Sequence, residues 1–86
     1  MPIIAQFYGI VIRMFYNDHS PPHFHAVYGE HELVVGISPI GVLEGSAPGR
    51  VRSMVLEWAA LHQHELLDDW ARCRRGEPPE SIEPLE

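Results

Sequence analysis

The sequence predicts an α+β fold, in which an antiparallel β-meander of three to four strands is followed by one long C-terminal helix in a second layer. The first half of the 86-residue chain groups β-branched and aromatic residues between turn-forming Gly, Pro, Asn and Asp. Residues 51–75 instead carry apolar side chains at helical spacing and contain no proline. Because the chain is short, we expect a single domain over residues 1–75, followed by an extended, acidic, proline-rich tail over residues 76–86.

The first predicted strand covers residues 7–16, F-Y-G-I-V-I-R-M-F-Y, whose aromatic and β-branched side chains suit a strand. Alternation places Ile10, Ile12 and Met14 on one face of it. N-D-H-S-P-P then predicts a turn, because Asn and Asp bond to nearby backbone groups and proline cannot donate to a strand ladder. The remaining strands are predicted over residues 23–28, 32–37 and 42–44.

One continuous helix is predicted from near Ser46 to Gly76, where a glycine followed by Glu-Pro-Pro ends it. At about 100° per residue the apolar side chains form one broad stripe, which also contains His62. The apolar members of this stripe are Val51, Met54, Val55, Trp58, Leu66 and Cys73. A second, narrower line lies outside the stripe and is predicted to contact a second copy of the chain or another protein. This predicted interface line consists of Leu56, Ala60 and Leu67.

Charge and composition narrow the function classes. The chain has six arginines, no lysine and twelve carboxylates, for a formal net charge of −6. Strong non-specific binding of nucleic acid requires a basic surface, so any contact with RNA has to be local. One cysteine excludes a disulfide framework. The first residues show neither a signal peptide nor an apolar run long enough for a membrane span, so we expect a cytoplasmic protein without a membrane partner.

The histidines are the candidate functional residues. His23 and His25 are two positions apart, so they project from the same face of a strand and could bind one metal ion. The alternative is a strand with a polar face in which both histidines are structural. His62 and Glu65 lie three positions apart on the helix, and they would add two ligands if the helix crossed the face of the strand histidines. The predicted ligands for zinc or another divalent transition metal are therefore His23, His25, His62 and Glu65.

A metal-independent reaction is the other functional interpretation. His23 and His25 could act as acid and base in RNA cleavage, while Arg13 stabilises the charged phosphorane. His19 lies in the predicted turn beside Asp18. Its imidazole is expected to be exposed there; alternatively, Asp18 orients it as a further ligand or base.

The order of these segments resembles the small bacterial proteins of the family called domain of unknown function 4160. The resemblance rests on F-Y-G-I-V-I-R-M-F-Y-N-D-H-S-P-P-H-F-H-A-V-Y-G, V-L-E-G, L-E-W-A-x-L-H-Q-x-E-L-L and a closing I-E-P-L. It implies no established reaction, but it implies a toxin–antitoxin-like gene pair and hence a small protein partner. The residues that carry over from the motif are Asp18, His19, His23, His25, His62 and Glu65.

Two functions from different classes follow. One is a partner-regulated component of such a gene pair that cleaves RNA through His23 and His25. The other is a non-catalytic module that binds a partner protein or zinc.

Overall fold

The computed structural model of the protein describes residues 2–86. Five antiparallel strands form one sheet in sequential order, and two helices follow them. The elements are β1 (Ile3–Phe7), β2 (Ile10–Arg13), β3 (His23–Tyr28), β4 (His31–Ile37), β5 (Ile40–Ser46), α1 (Gly49–Leu61) and α2 (Gln63–Arg74). The predicted α+β class is confirmed, but the sheet has more strands than the predicted three to four, and two helices replace the predicted single helix.

The predicted single strand over residues 7–16 is wrong, because Tyr8 and Gly9 form a tight turn between β1 and β2. Both residues have positive φ, +50° for Tyr8 and +79° for Gly9, and Phe7 pairs directly with Ile10. A two-residue hairpin turn of the mirror-image type requires positive φ at both central positions. Glycine adopts this conformation freely and tyrosine rarely does, so the turn has a weak signal in the sequence.

The helices cover one face of the sheet, and the core lies between them and the strands. Trp58 of α1 packs edge-to-face on Phe24 of β3, with ring centroids 5.7 Å apart, and lies 5.4 Å from the ring of Phe7. Ile10 and Ile12 are fully buried on this face, as the predicted alternation requires. In the predicted helix stripe, Val51, Val55, Trp58, Leu66 and Cys73 are buried, and Met54 is partly buried.

The opposite face of the sheet carries a row of paired residues that runs across four strands. Arg13 of β2 pairs with His25 of β3, His25 pairs with Val34 of β4, and Val34 pairs with Glu44 of β5. Directly paired residues of antiparallel strands point to the same side of the sheet. We call Arg13, His25, Val34 and Glu44 the outer row.

The helix begins later than predicted. Ser46, predicted near the start of the helix, instead ends β5, where it pairs with Glu32. Helix α1 begins at Gly49 behind Pro48, and no side chain caps it. Pairing with β4 therefore overrides the capping tendency of Ser46.

The helical path is broken at His62, whose φ of −122° departs from helical geometry. Just beyond the break, the side-chain amide of Gln63 donates a hydrogen bond of 2.8 Å to the backbone carbonyl of Ile37 in β4. This contact with the sheet anchors the start of α2, and it comes from a distant part of the sequence. Neither helix in residues 2–86 is long and apolar enough to cross a membrane.

The acidic tail lies along its own domain. The backbone N–H of Ile82 donates to the carbonyl of Ile4 in β1 over 2.8 Å, and the Ile82 side chain is buried. The indole N–H of Trp58 donates to the carbonyl of Glu83 over 2.8 Å. The tail that the sequence predicts to be extended therefore lies against β1 and α1.

Asp69 of α2 makes a further contact with the tail. Its Oδ1 accepts a hydrogen bond of 2.9 Å from the backbone N–H of Glu80, while its buried Oδ2 has no hydrogen-bond partner among the described residues. Burial raises the pKa of the Asp69 carboxyl above its ordinary value, despite the hydrogen bond from Glu80. The tail is therefore attached through a buried carboxyl group whose pKa is raised.

Candidate metal centre

The loop between β2 and β3 is fixed at both ends by backbone hydrogen bonds. The N–H of Asn17 donates to the carbonyl of Cys73 near the end of α2, and the N–H of Ile37 in β4 donates to the carbonyl of Pro22, both over 3.1 Å. Asn17 has a φ of +51°, which asparagine tolerates better than most residues. Residues 17–22 form neither strand nor helix, as the turn signal predicts, whereas residues 14–16, predicted as the end of the first strand, also lie outside β2. The loop is therefore a fixed support for the side chains that it carries.

Three side chains meet where this loop enters β3. Asp18, His23 and His25 each offer one ligand atom, and these atoms lie within 4.8 Å of one another. Oδ2 of Asp18 is 2.9 Å from Nε2 of His23 and 3.9 Å from Nε2 of His25. Bonds of about 2.0–2.2 Å to one ion place two ligand atoms about 3–4 Å apart. The distances from Oδ2 of Asp18 to the two imidazole nitrogens therefore fit ligands of one metal ion.

The ring of His25 turns an unpaired nitrogen toward this cluster. Its Nδ1 lies 2.9 Å from Oε2 of Glu32, and a carboxylate can only accept, so Nδ1 carries the proton in that contact. Nε2 of the neutral ring then holds a lone pair; this atom is buried and has no hydrogen-bond partner among the described residues. An unpaired buried polar atom costs about 1–3 kcal/mol. A metal ion at the cluster would supply the missing partner.

The ring of His23 lies between two hydrogen-bond acceptors and is 4% exposed. Its Nδ1 is 2.7 Å from the carbonyl oxygen of Pro21, and its Nε2 is 2.9 Å from Oδ2 of Asp18. A neutral imidazole has one N–H and can donate to only one of them. When Nδ1 donates to Pro21, Nε2 has no proton for Asp18, and a metal ion shared by Nε2 and the carboxylate would fill that contact. Metal-binding histidines commonly donate their other N–H to a carbonyl or carboxylate, as both rings do here.

Asp18 is held in its ionised form. Burial raises the pKa of its carboxyl, but the hydrogen bond of 2.8 Å from the backbone N–H of His19, together with the charge and hydrogen bond of His23, outweighs burial and leaves the pKa below its ordinary value. The imidazole of His19 is 82% exposed and stays outside the cluster. Asp18 thus offers a charged oxygen ligand to the two imidazoles.

A cavity of about 480 Å³ opens beside the three ligands. The ring of Phe15 stands edge-on to His25, with centroids 4.4 Å apart. On the other side of the cluster, the indole of Trp70 lies 5.1 Å from the ring of His23. The cavity lining consists of Phe15, Tyr16, Asn17, Asp18, His19, Pro21, His23, His25, Val34, Leu43 and Glu44.

The structure does not bring His62 and Glu65 to the strand histidines. Nδ1 of His62 is 2.6 Å from Oε1 of Glu65, and the His62 ring lies 5.5 Å from that of Trp58. His62 lines a different cavity, which it shares with the end of the tail. The helices cover the Phe24 face of the sheet, whereas His25 belongs to the outer row on the opposite face. The prediction that His23, His25, His62 and Glu65 converge is therefore wrong. Asp18 is the third residue of the cluster.

Two residues have a place at the site that the sequence does not predict. Asp18 was assigned an orienting role, although it lies five residues before His23 in a turn stiffened by two prolines. Glu32 was not singled out. The hairpin between β3 and β4 places Glu32 opposite Val27, diagonal to His25, and that register is its only signal in the sequence.

The other predicted site residues do not belong to the cluster. Arg13 pairs with His25 in the outer row, and its Nε is buried without a hydrogen-bond partner among the described residues. Its side chain does not line the cavity of the cluster. In the predicted interface line, Leu56 and Leu67 pack partly against the core and Ala60 is exposed.

A family model described as "Domain of unknown function (DUF4160)" matches residues 9–71. The matched span contains the three residues of the cluster as well as Glu32. The chain has no match among curated proteins and none among solved structures.

Proposed function

Because the chain belongs to the DUF4160 family, whose description names no activity, we propose a function from the site itself: the protein binds a divalent transition metal ion through Asp18, His23 and His25. One observation carries the proposal. Each imidazole has its Nδ1 at a hydrogen-bond acceptor and directs its Nε2 toward the same carboxylate oxygen. Hydrogen bonds of this kind fix the tautomer and orientation of histidines that bind metals.

The donor set narrows the choice of metal. Two imidazoles and one carboxylate suit zinc and ferrous iron, and imidazole also suits copper and nickel. The single thiol takes no part, because Cys73 is buried in the core and burial raises its pKa. Three protein ligands leave at least one coordination position free, and the adjacent cavity gives a further ligand access to it. Such open sites are typical of metals that activate water or bind substrate.

Metal content tests the proposal directly. Protein freed of any histidine tag is dialysed against zinc and washed, and bound metal is measured by mass spectrometry. We expect one ion per chain in the wild type and less than a tenth of that in His25→Ala and Asp18→Asn. His64→Ala, at an exposed position of α2, is the matched control and retains the metal. Equal metal content in all four proteins contradicts the proposal.

Metal-independent RNA cleavage in a toxin–antitoxin-like pair is the second candidate. The rings of His23 and His25 lie 5.4 Å apart, and Arg13 pairs with His25, which supports an acid–base pair beside a cation. Burial of His23 and the carboxylates around it weigh against a polyanionic substrate. The two candidates predict opposite responses to a chelator. Cleavage of RNA that persists in EDTA and is lost in His23→Ala supports the second; metal binding without such cleavage supports the first.

The second candidate function also includes a partner protein that regulates the cleavage. Growth arrest on expression, relieved by a small protein encoded beside this chain, would support the regulated role. If His23→Ala and His25→Ala arrest growth as strongly as the wild type, the histidines are not the basis of that effect.

A further inference from the structure

One wall of the cavity beside the cluster consists of apolar side chains that no other part of the described chain covers. Tyr16 is 45% exposed and Leu43 is 49% exposed, so they are two of the large apolar side chains that the described chain leaves most accessible. Both line this cavity, together with Phe15 and Val34. A volume of about 480 Å³ lies within the range of pockets for small molecules. The wall is therefore suited to the apolar body of a small ligand.

The charged groups that line this cavity determine which charge a ligand can carry at each end. Asp18 and Glu44 line it, whereas no arginine belongs to its lining in the described part of the chain. With a divalent ion bound by Asp18 and two neutral imidazoles, the metal end would carry a net charge of +1, whereas Glu44 at the other end has no ion-pair partner among the described residues. An anionic ligand would therefore be repelled by Glu44, and a cationic group would be attracted to it.

The sheet register fixes the separation between the metal and Glu44. His25 and Glu44 belong to the outer row and are two strands apart, with Val34 between them. Neighbouring strands lie about 4.8 Å apart, so the two backbones are about 10 Å apart. A ligand bound to the metal at one end would pass over Val34 and reach Glu44 with its other end.

We propose that this cavity binds a small organic cation, whose neutral donor atom completes the coordination of the metal and whose ammonium group lies at Glu44. The inference rests on the proposed function, because the donor end needs the metal held by Asp18, His23 and His25. It adds the class of ligand: an apolar body with a metal-binding nitrogen or oxygen at one end and a positive charge at the other.

Three probes with the same donor and similar length separate the effect of charge from that of shape. Protein loaded with Co²⁺ is titrated with 1-(3-aminopropyl)imidazole, 1-butylimidazole and 3-(imidazol-1-yl)propanoic acid, which end in a cation, a neutral group and an anion. The visible absorption of Co²⁺ reports binding at the metal. Inorganic phosphate is the fourth probe. Glu44→Gln removes the proposed partner, and Glu30→Gln removes an exposed carboxylate from the β3–β4 turn, outside the cavity.

We expect the cationic probe to bind about threefold tighter than the neutral probe, and the anionic probe more weakly than either, as one exposed charge pair allows. The three affinities should converge in Glu44→Gln and keep their order in Glu30→Gln. Equal affinities in the wild type, an order that survives in Glu44→Gln, or tightest binding of phosphate overturns the inference while the metal site stands. Failure of Co²⁺ to bind at all overturns the proposed function as well.

Discussion

Nε2 of His25 lies 3.9 Å from Oδ2 of Asp18, buried and without a hydrogen bond to it. This separation is too long for a hydrogen bond and fits two ligands of one ion. Glu32 holds the ring from the other side through Nδ1 over 2.9 Å. In the tautomer whose Nδ1 donates to Glu32, the lone pair of Nε2 faces the carboxylate of Asp18, and a metal ion between the two would relieve their repulsion.

Glu32 should tune the metal affinity without being a ligand. Glu32→Ala removes the acceptor that orients His25, so we expect a zinc dissociation constant about 10- to 100-fold higher, as for other outer hydrogen-bond partners of metal ligands. Isothermal titration with zinc measures it, and circular dichroism checks that the fold is kept. Glu30→Ala is the control with unchanged affinity. A Glu32→Ala affinity equal to that of the wild type would show that this hydrogen bond does not position the ring.

Metal binding should stabilise the fold. An ion that binds only the folded state contributes about 2.7 kcal/mol when its concentration is 100 times the dissociation constant. For a domain of this size, that corresponds to a rise in Tm of about 10–20 °C. Thermal unfolding with and without zinc measures the rise, EDTA should reverse it, and Asp18→Asn should lack it. An equal rise in Asp18→Asn would point to binding elsewhere on the chain.

Trp70 should report the metal optically. Its indole lies 5.1 Å from the ring of His23, and a paramagnetic ion such as Cu²⁺ quenches indole fluorescence at short range. We expect saturable quenching in the wild type and in His64→Ala, and its loss in His25→Ala. Trp70→Phe should remove most of the quenched signal while Cu²⁺ binding, followed by calorimetry, persists. Undiminished quenching in Trp70→Phe would place the ion nearer to Trp58.

Asp69 should make stability depend on pH. Burial raises its pKa in the folded state above the ordinary value of an aspartate, so the folded protein binds the proton more tightly than the unfolded chain does. The resulting stabilisation is present below the unfolded pKa and is lost as pH rises through the raised folded pKa. Urea unfolding from pH 3 upward should therefore show the wild type losing stability relative to Asp69→Asn as the pH rises. Glu57→Gln, at an exposed position of α1, should run parallel to the wild type.

The tail should be part of the folded domain. Ile82 is 5% exposed, so Ile82→Ala should lower the free energy of unfolding by about 2–4 kcal/mol, as for other buried isoleucines. Leu85 packs on the core only in part, so Leu85→Ala should lower the free energy of unfolding by clearly less than Ile82→Ala does. Urea unfolding compares the two. Equal and negligible effects would mean that the tail does not rest on the domain in solution.

The sequence was most informative where local pattern and tertiary contact agree. Strand β3 has the predicted bounds because Phe24 and Ala26 alternate with polar residues between clear turn signals. The β1–β2 turn was missed because Tyr8 is an unusual residue for positive φ. The break at His62 was missed because helical periodicity continues through it, and the bond from Gln63 to Ile37 is not a local signal.

The candidate site was also predictable only in part. The spacing of His23 and His25 indicated a pair on one strand, and the structure places both beside Asp18. Whether the helix crossed their face could not be read from periodicity, because the core face of β3 depends on the whole sheet. Phe24 faces the helices, so His62, although predicted as a metal ligand, does not join His23 and His25.

The tail's contact with β1 also limits how copies of the chain could aggregate. At one edge of the sheet, the N–H of Ile82 donates to the backbone carbonyl of Ile4 in β1. At the other edge, the residues of β5 are largely exposed. A sheet with two open edges can add strands without end, as fibrils do, but a sheet with one open edge cannot. If two chains pair through β5, both remaining edges already carry a tail, so such an assembly would close as a dimer.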